Sequence, residues 1–229
     1  MSARMTDLTL LQKRLEYPLS PKAIYWRIGQ VGENARGPWA TALAYVDARH
    51  VRRRLTEIFG VDGWCTSMQR FSGQSGGSGF LCKLSVRMGD RIVTRCDTSD
   101  DTDIEAIKGG ASKALVRAAT NFGIGEYLYG LGRTYVDVVD QGTKGAQFAN
   151  GKSGAFYWVP PALPSWAVAK YAVSADHNAI VAAGAKCGWD VPTMAGWIEE
   201  RYGVTLDWLE LPLVDDALAF LAARAKDSV

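Results

Sequence analysis

Apolar and polar positions along this chain change period several times, and each change marks an element. Residues 7–16 place Leu8, Leu11 and Leu15 at helical spacing, and Pro18 and Pro21 end that helix. Residues 23–28 and 39–46 are rich in aromatic and branched side chains, and the turn-like Gly32-Glu33-Asn34-Ala35-Arg36-Gly37-Pro38 stretch separates them, which predicts two strands. Asp47 then reads as a helix N-cap, with Val51, Leu55, Ile58 and Phe59 recurring at helical spacing until Gly60. A three-strand meander follows over 64–71, 80–88 and 91–98. The longest helical period of this part runs through Ile104, Ile107, Ala111, Ala114, Leu115, Ala118 and Phe122 and closes at Gly123. Past Tyr157-Trp158-Val159-Pro160-Pro161, a strand end and linker, the apolar positions predict three short helices around Trp189, Trp197 and Trp208. The fold class is α+β.

The connection at Met88-Gly89-Asp90 sets which side chains share a sheet face, because a shift of one residue exchanges the faces. A two-residue Gly89-Asp90 turn would put Leu84 opposite Arg95 and mix apolar with charged side chains. A three-residue loop instead pairs Cys82 with Cys96, Leu84 with Thr94 and Val86 with Ile92, and leaves Lys83, Arg87, Arg91 and Arg95 together on the other face. The second register is the expectation. It creates a four-cation face that would contact phosphates, with a plainly solvated face as the alternative.

Composition narrows the class. A chain of 229 residues, 48% of them apolar, can bury a real core. No stretch approaches the roughly 20 apolar residues of a spanning helix, and no apolar signal core opens the chain, so a soluble cytoplasmic protein is expected. Four cysteines without a CxxC pair and two histidines predict reduced buried thiols and no zinc site. The net charge of +2 hides an asymmetry: residues 1–160 carry 21 Lys+Arg against 15 Asp+Glu, and residues 161–229 carry 5 against 9. A basic body with an acidic appendage suits a polyanion partner.

Candidate chemistry follows from that body. Lys113 and Arg117 lie at i, i+4 on the polar side of the central helix, with Thr120 beyond them and no carboxylate within a turn, an uncompensated stripe suited to tracking phosphates. Gly109 and Gly110 favour close approach of another backbone, which could be a strand, a second subunit or DNA. The acidic run 97–103 lacks the spacing of a metal loop and is expected to cap the helix. The Gly-rich run 72–79 lacks a P-loop ending and reads as a mobile linker. Neither paired metal carboxylates nor a nucleophile-base set is evident, so no cofactor and no enzyme activity is expected.

Two segments carry a resemblance. Tyr45-Val46-Asp47-Ala48-Arg49-His50-Val51, running on to Phe59-Gly60-Val61-Asp62-Gly63-Trp64, and Leu115-Val116-Arg117-Ala118-Ala119-Thr120-Asn121-Phe122-Gly123-Ile124-Gly125 with Tyr127-Leu128-Tyr129, resemble the Rad52/Rad22 single-strand annealing family over roughly residues 8–140, with the FGIG form nearest its bacterial DdrA-like and phage members. The resemblance implies a β-β-β-α core that assembles into rings or helical filaments, with single-stranded DNA in a basic groove and no bond chemistry. By position it implies Arg117 as a groove arginine and Arg49-His50 at the start of the preceding groove helix. The family's lysine before the groove arginine is Val116 here, and a further arginine is Thr120. Lys113, Arg52, Arg53 and the hairpin cations are the expected compensation, and Lys108 and Arg133 complete the DNA-binding set.

The expected organisation is a DNA-binding, oligomerising domain over 1–160 and a small acidic helical module over 161–229. The module also resembles C-terminal modules of phage recombination proteins, which implies docking of a nuclease or a single-strand-binding protein. The expected function is annealing in recombination or repair, with end protection without annealing as the alternative.

Overall fold

The computed structural model describes residues 8–35, 37–72, 77–101, 106–151 and 154–227. Helix α1 (Leu8–Glu16) leads into β1 (Ile24–Asn34), β2 (Gly37–Val46) and α2 (Ala48–Phe59). A meander of β3 (Trp64–Ser72), β4 (Ser78–Met88) and β5 (Arg91–Asp100) precedes α3 (Ala106–Thr120). Then come β6 (Thr134–Val139), β7 (Gln147–Gly151), β8 (Gly154–Trp158) and the helices α4 (Ser174–Lys186), α5 (Val191–Tyr202) and α6 (Leu211–Asp227). The fold is α+β, as the pattern predicts.

The strands form two antiparallel sheets, β1-β2-β6-β8-β7 and β3-β4-β5. The five-stranded sheet goes beyond the two strands and the strand end at Tyr157-Trp158 legible in the pattern, because β6 and β7 are short segments that only pairing with β2 and β8 makes regular. The main core lies where α3 packs on β4: Phe80, Cys82, Leu84 and Val86 meet Ala114, Leu115 and Ala118, with α1 and α2 closing the sides through Leu15, Val51 and Leu55. At Gly110 a Cβ would stand 3.0 Å from Phe80 Cδ2 and 3.3 Å from the Asp100 carbonyl oxygen. The close neighbour of that glycine is therefore the adjacent sheet.

Several expectations are corrected here. The β4–β5 connection is the two-residue Gly89-Asp90 turn, with Met88 opposite Arg91 and Gly89 at φ +61°. Leu84 therefore faces Arg95, and the four-cation face does not exist: Lys83 and Arg87 share the outer face, while Arg91 and Arg95 are on the α3 side. The charged side chains tolerate that side because β5 lies at the rim of the core. There Arg95 stacks 5.9 Å over the Phe122 ring, and Asp97 accepts from Arg117. Leu8 is 50% exposed, and Leu10 is buried in its place, against the C-terminal helices. Ile107 is 61% exposed, since the sheet ends before reaching it, and Ile104 falls outside the described residues.

Cys65 and Cys96 are exposed on the outer face of the three-stranded sheet, against the expectation of buried thiols, and Cys82 alone of the four is fully buried. Burial pushes the Cys82 thiol up to about 11. Trp189 and Trp197 do pack together, with ring centroids 5.5 Å apart, but Trp208 is 63% exposed on a short 3-10 turn. The acidic run does not cap α3 as expected over its described part: Asp97–Asp100 extend β5, residues 102 and 103 lie outside the described residues, and so does the centre of the Gly-rich linker. Asp101, at the edge of that run, is tied to the strands by Ser78 Oγ (2.5 Å) and Arg70 Nη2 (2.8 Å).

Residues 161–227 join the body through a buried ionic knot. Arg54 of α2 donates from both terminal nitrogens to Glu210, which precedes α6, and also to the Arg14 carbonyl of α1. The Arg14 guanidinium lies 4.0 Å from the same carboxylate. Tyr17 Oη donates to the Lys170 carbonyl at 2.7 Å, and Ala172 N–H to the Leu209 carbonyl at 2.8 Å. Elsewhere in this part α4, α5 and α6 pack on Ile180, Met194, Ile198, Leu213 and Leu221.

Candidate nucleic-acid interface

Asp47 organises the start of α2. Its carboxylate accepts the backbone N–H groups of Arg49 (2.9 Å) and His50 (3.1 Å), the N-cap arrangement expected from sequence. It also takes the Arg49 guanidinium at 2.7 and 3.1 Å and His50 Nδ1 at 3.0 Å. Burial pushes the Asp47 carboxyl up, but the hydrogen bonds from Arg49 and His50 outweigh it and bring the group down to about 2. Both candidate side chains at this helix start are thereby held in place.

The sheet continues this surface. Antiparallel pairing sets Tyr25 opposite Tyr45, ring centroids 5.7 Å apart, and Tyr25 stands 5.8 Å from the His50 ring. Arg27 is two residues along β1 on the same face, because side chains alternate along a strand. Arg27 and Tyr45 enter a cleft of about 290 Å³ shared with Thr120 of α3, Tyr129 and Arg133. Arg133 Nη1 donates to Gln30 Oε1 of β1 at 2.9 Å. Arg133 and Arg27 thus stand at one end of a row that runs through the Tyr45 and Tyr25 rings to His50 and Arg49. Phosphates need the cations, and bases can stack on the rings.

Of the residues singled out in the sequence, Arg49, His50 and Arg133 belong to this track. Lys113 is exposed on the side of α3 that carries Val116 and Thr120 toward the cleft. Arg117 differs from the expectation of an uncompensated stripe, since its Nε donates to Asp97 Oδ1 at 3.1 Å. The carboxylate comes from β5, 20 residues away in sequence, so no local pattern could reveal it. Arg52 and Arg53 are exposed on α2, with Arg53 paired to Glu57 at 3.0 Å, and Lys108 is exposed near the start of α3. Lys83 and Arg87 face away from α3 on the outer sheet surface, and Arg91 and Arg95 line its rim. Sequence reasoning does not single out Arg27, Tyr25, Tyr45 or Tyr129 as DNA-binding residues. The alternation of Tyr25 and Arg27 with Trp26 and Ile28 was the available signal.

The sequence profile of the Rad52/22 family double-strand break repair protein matches residues 7–146, well over half of the chain. The chain belongs to the Rad52/22 family. The single-stranded DNA-binding protein DdrA of Deinococcus deserti is 31% identical over 162 residues, covering 70% of this chain and 71% of its own. DdrA of Deinococcus radiodurans is 32% identical over 162 residues, covering 70% and 68%.

The two segments that carry the Rad52/22 resemblance have physical explanations in this fold. In the first, Gly60 N–H caps α2 on the Thr56 carbonyl at 2.9 Å, and Trp64 Nε1 donates to Thr56 Oγ1 at 3.1 Å. A Cβ at Gly63 would sit 2.0 Å from the Phe59 carbonyl oxygen. In the second, Gly123 at φ +101° turns the chain from α3 against Glu16 of α1, so that Phe122 and Ile124 both enter the core. The Rad52/22 match ends before β7, β8 and the C-terminal helices. No helix among the described residues is long and apolar enough to cross a membrane, and no group of His, Cys, Asp or Glu among them is placed to hold a metal ion.

Proposed function

We propose that this protein binds single-stranded DNA and anneals complementary strands in recombination or repair, with phosphates and bases held along the Arg133–Arg27–Tyr45–Tyr25–His50–Arg49 track and no bond made or broken. The carrying observation is the row of Tyr45, Tyr25 and His50 rings with arginines at both ends. The similarity to the single-stranded DNA-binding protein DdrA of two Deinococcus species supports the reading. Lys113 extends the track along α3, and Arg52, Arg53 and Lys108 add nearby positive charge. Low base specificity is expected, because phosphate contacts and stacking carry little sequence information.

Self-association into a ring or filament belongs to the same proposal. Strand β3 is the outer edge of its sheet, and residues 65–72 along it are exposed, so a second copy can pair or pack there. Residues 161–229 form the proposed acidic docking module for a nuclease or a single-strand-binding protein, set on the 1–160 body.

The test follows annealing of two labelled complementary oligonucleotides with wild type, Arg27→Ala/Arg133→Ala and Lys113→Ala/Arg117→Ala. Acceleration by wild type that the first variant loses is the expected result. Tight binding without acceleration would replace annealing with end protection. Unchanged binding by both variants would remove the track from the proposal.

A further inference from the structure

Beyond His50 the track opens into a second cavity, of about 520 Å³, between α1, α2 and the segment carrying Trp208. Four cations, Arg14, Lys22, Arg53 and Arg54, face two carboxylates there, Glu57 and Glu210. Arg53 is paired with Glu57, and Arg54 takes Glu210 with both terminal nitrogens, so Arg14 and Lys22 carry the surplus charge. Arg14 is 3% exposed, and its Nε and that of Arg54 are buried without a hydrogen-bond partner. Burial pulls the Arg14 pKa down while Glu210 raises it, the signature of a guanidinium whose charge is incompletely matched. The unpaired Nε–H groups are closed off from solvent, but the surplus charge of Arg14 and Lys22 at the cavity wall calls for an anionic partner.

The same cavity carries an aromatic wall. Trp208 stands edge-on to Tyr171 at 5.7 Å and is 63% exposed, so a large indole surface is uncovered beside the arginines. A flat ring next to phosphate-binding guanidinium groups suits a nucleotide, whose base stacks while its phosphate takes the donors. The volume lies in the range of small-ligand sites.

We infer that this cavity is a nucleotide site that binds a phosphate monoester through Lys22 and the surplus charge of Arg14 and stacks the base on Trp208. The ligand is either a free nucleotide or the terminal nucleotide of a DNA strand led there past His50. Only that second source rests on the single-strand reading.

Isothermal titration of the full chain with dTMP, thymidine and inorganic phosphate, and with oligo-dT carrying a 5′-phosphate, a 3′-phosphate or neither, tests the site. Wild type is expected to bind dTMP at least about tenfold more tightly than thymidine. Trp208→Ala and Lys22→Ala, both at exposed positions, are each expected to weaken dTMP by about tenfold. A terminal-phosphate preference lost in the same variants assigns the site to strand ends, and dTMP binding without that preference assigns it to free nucleotide. Equal affinity for dTMP and thymidine, or dTMP binding untouched by both variants, would overturn the inference. Arg27→Ala/Arg133→Ala separates the two proposals: loss of strand binding there, with dTMP binding retained, leaves the nucleotide site standing.

Discussion

Arg117 Nε donates to Asp97 Oδ1 at 3.1 Å, which ties the central helix to the edge strand of the meander and partly neutralises the cation best placed by family resemblance. The pair is exposed, so it contributes at most about 1 kcal/mol to folding. Its larger consequence is for phosphate binding. Asp97→Asn keeps the oxygen that accepts Thr98 N–H at 2.7 Å but removes the charge. Single-strand affinity is expected to rise several-fold, and the slope of log Kobs against log salt to steepen by about 0.7. Fluorescence anisotropy across a salt series measures both, and an unchanged slope would show that Arg117 does not reach the backbone.

Glu210 answers two buried guanidinium groups, Arg14 and Arg54. Glu210→Gln leaves both without a counter-charge and is expected to cost about 3–5 kcal/mol in denaturant unfolding. Replacing Arg14 and Arg54 with Met and Glu210 with Leu together should recover most of that loss, because the desolvation cost disappears with the charges. A triple variant as unstable as Glu210→Gln would show that shape, and not charge, holds this junction.

Asp47 predicts an acid limb. Its pKa lies at about 2 in the fold against an ordinary 3.8, so its contribution is complete above about pH 4 and is lost as pH falls through 2. Allowing for its partial exposure, the contribution is about 1–2 kcal/mol. Asp47→Ala should remove that part of the acid dependence and also about 1 kcal/mol of N-cap stabilisation. Unfolding midpoints measured at pH 2, 3, 4 and 7 for both proteins check it.

Gly63 is a steric necessity. Gly63→Ala would press a methyl to 2.0 Å from the Phe59 carbonyl oxygen, which is backbone and cannot rotate away. A loss of about 1–3 kcal/mol or more is expected, read as a drop in thermal midpoint. Gly77, with nothing within 4 Å of its Cβ position, is the control.

Much of the local structure was legible in the chain. Asp47 as N-cap, Gly60 as the stop of α2, the three meander strands and the three C-terminal helices follow from signals within a few residues. The candidate site was legible only in part. Arg49 and His50 sit beside Asp47 in sequence and in space, whereas Arg27 and Arg133 meet across 106 positions at the cleft and share no local pattern. The hairpin register shows the limit most clearly. Separating charged from apolar side chains favoured a three-residue loop, but a rim strand can place Arg95 over Phe122 and Asp97 against Arg117, so the tight Gly89-Asp90 turn is tolerated.

The amino-acid sequence by itself determined the order and type of most elements, the charge division near residue 160 and the Rad52/22 family, because capping, periodicity and motif spacing are properties of neighbours along the chain. Only the tertiary structure decided which cations are free to meet a phosphate. Arg53 meets Glu57 one turn along its own helix, but whether Arg117 or Arg54 meets a carboxylate depends on through-space distance, because Asp97 of β5 and Glu210 before α6 come beside them only on folding.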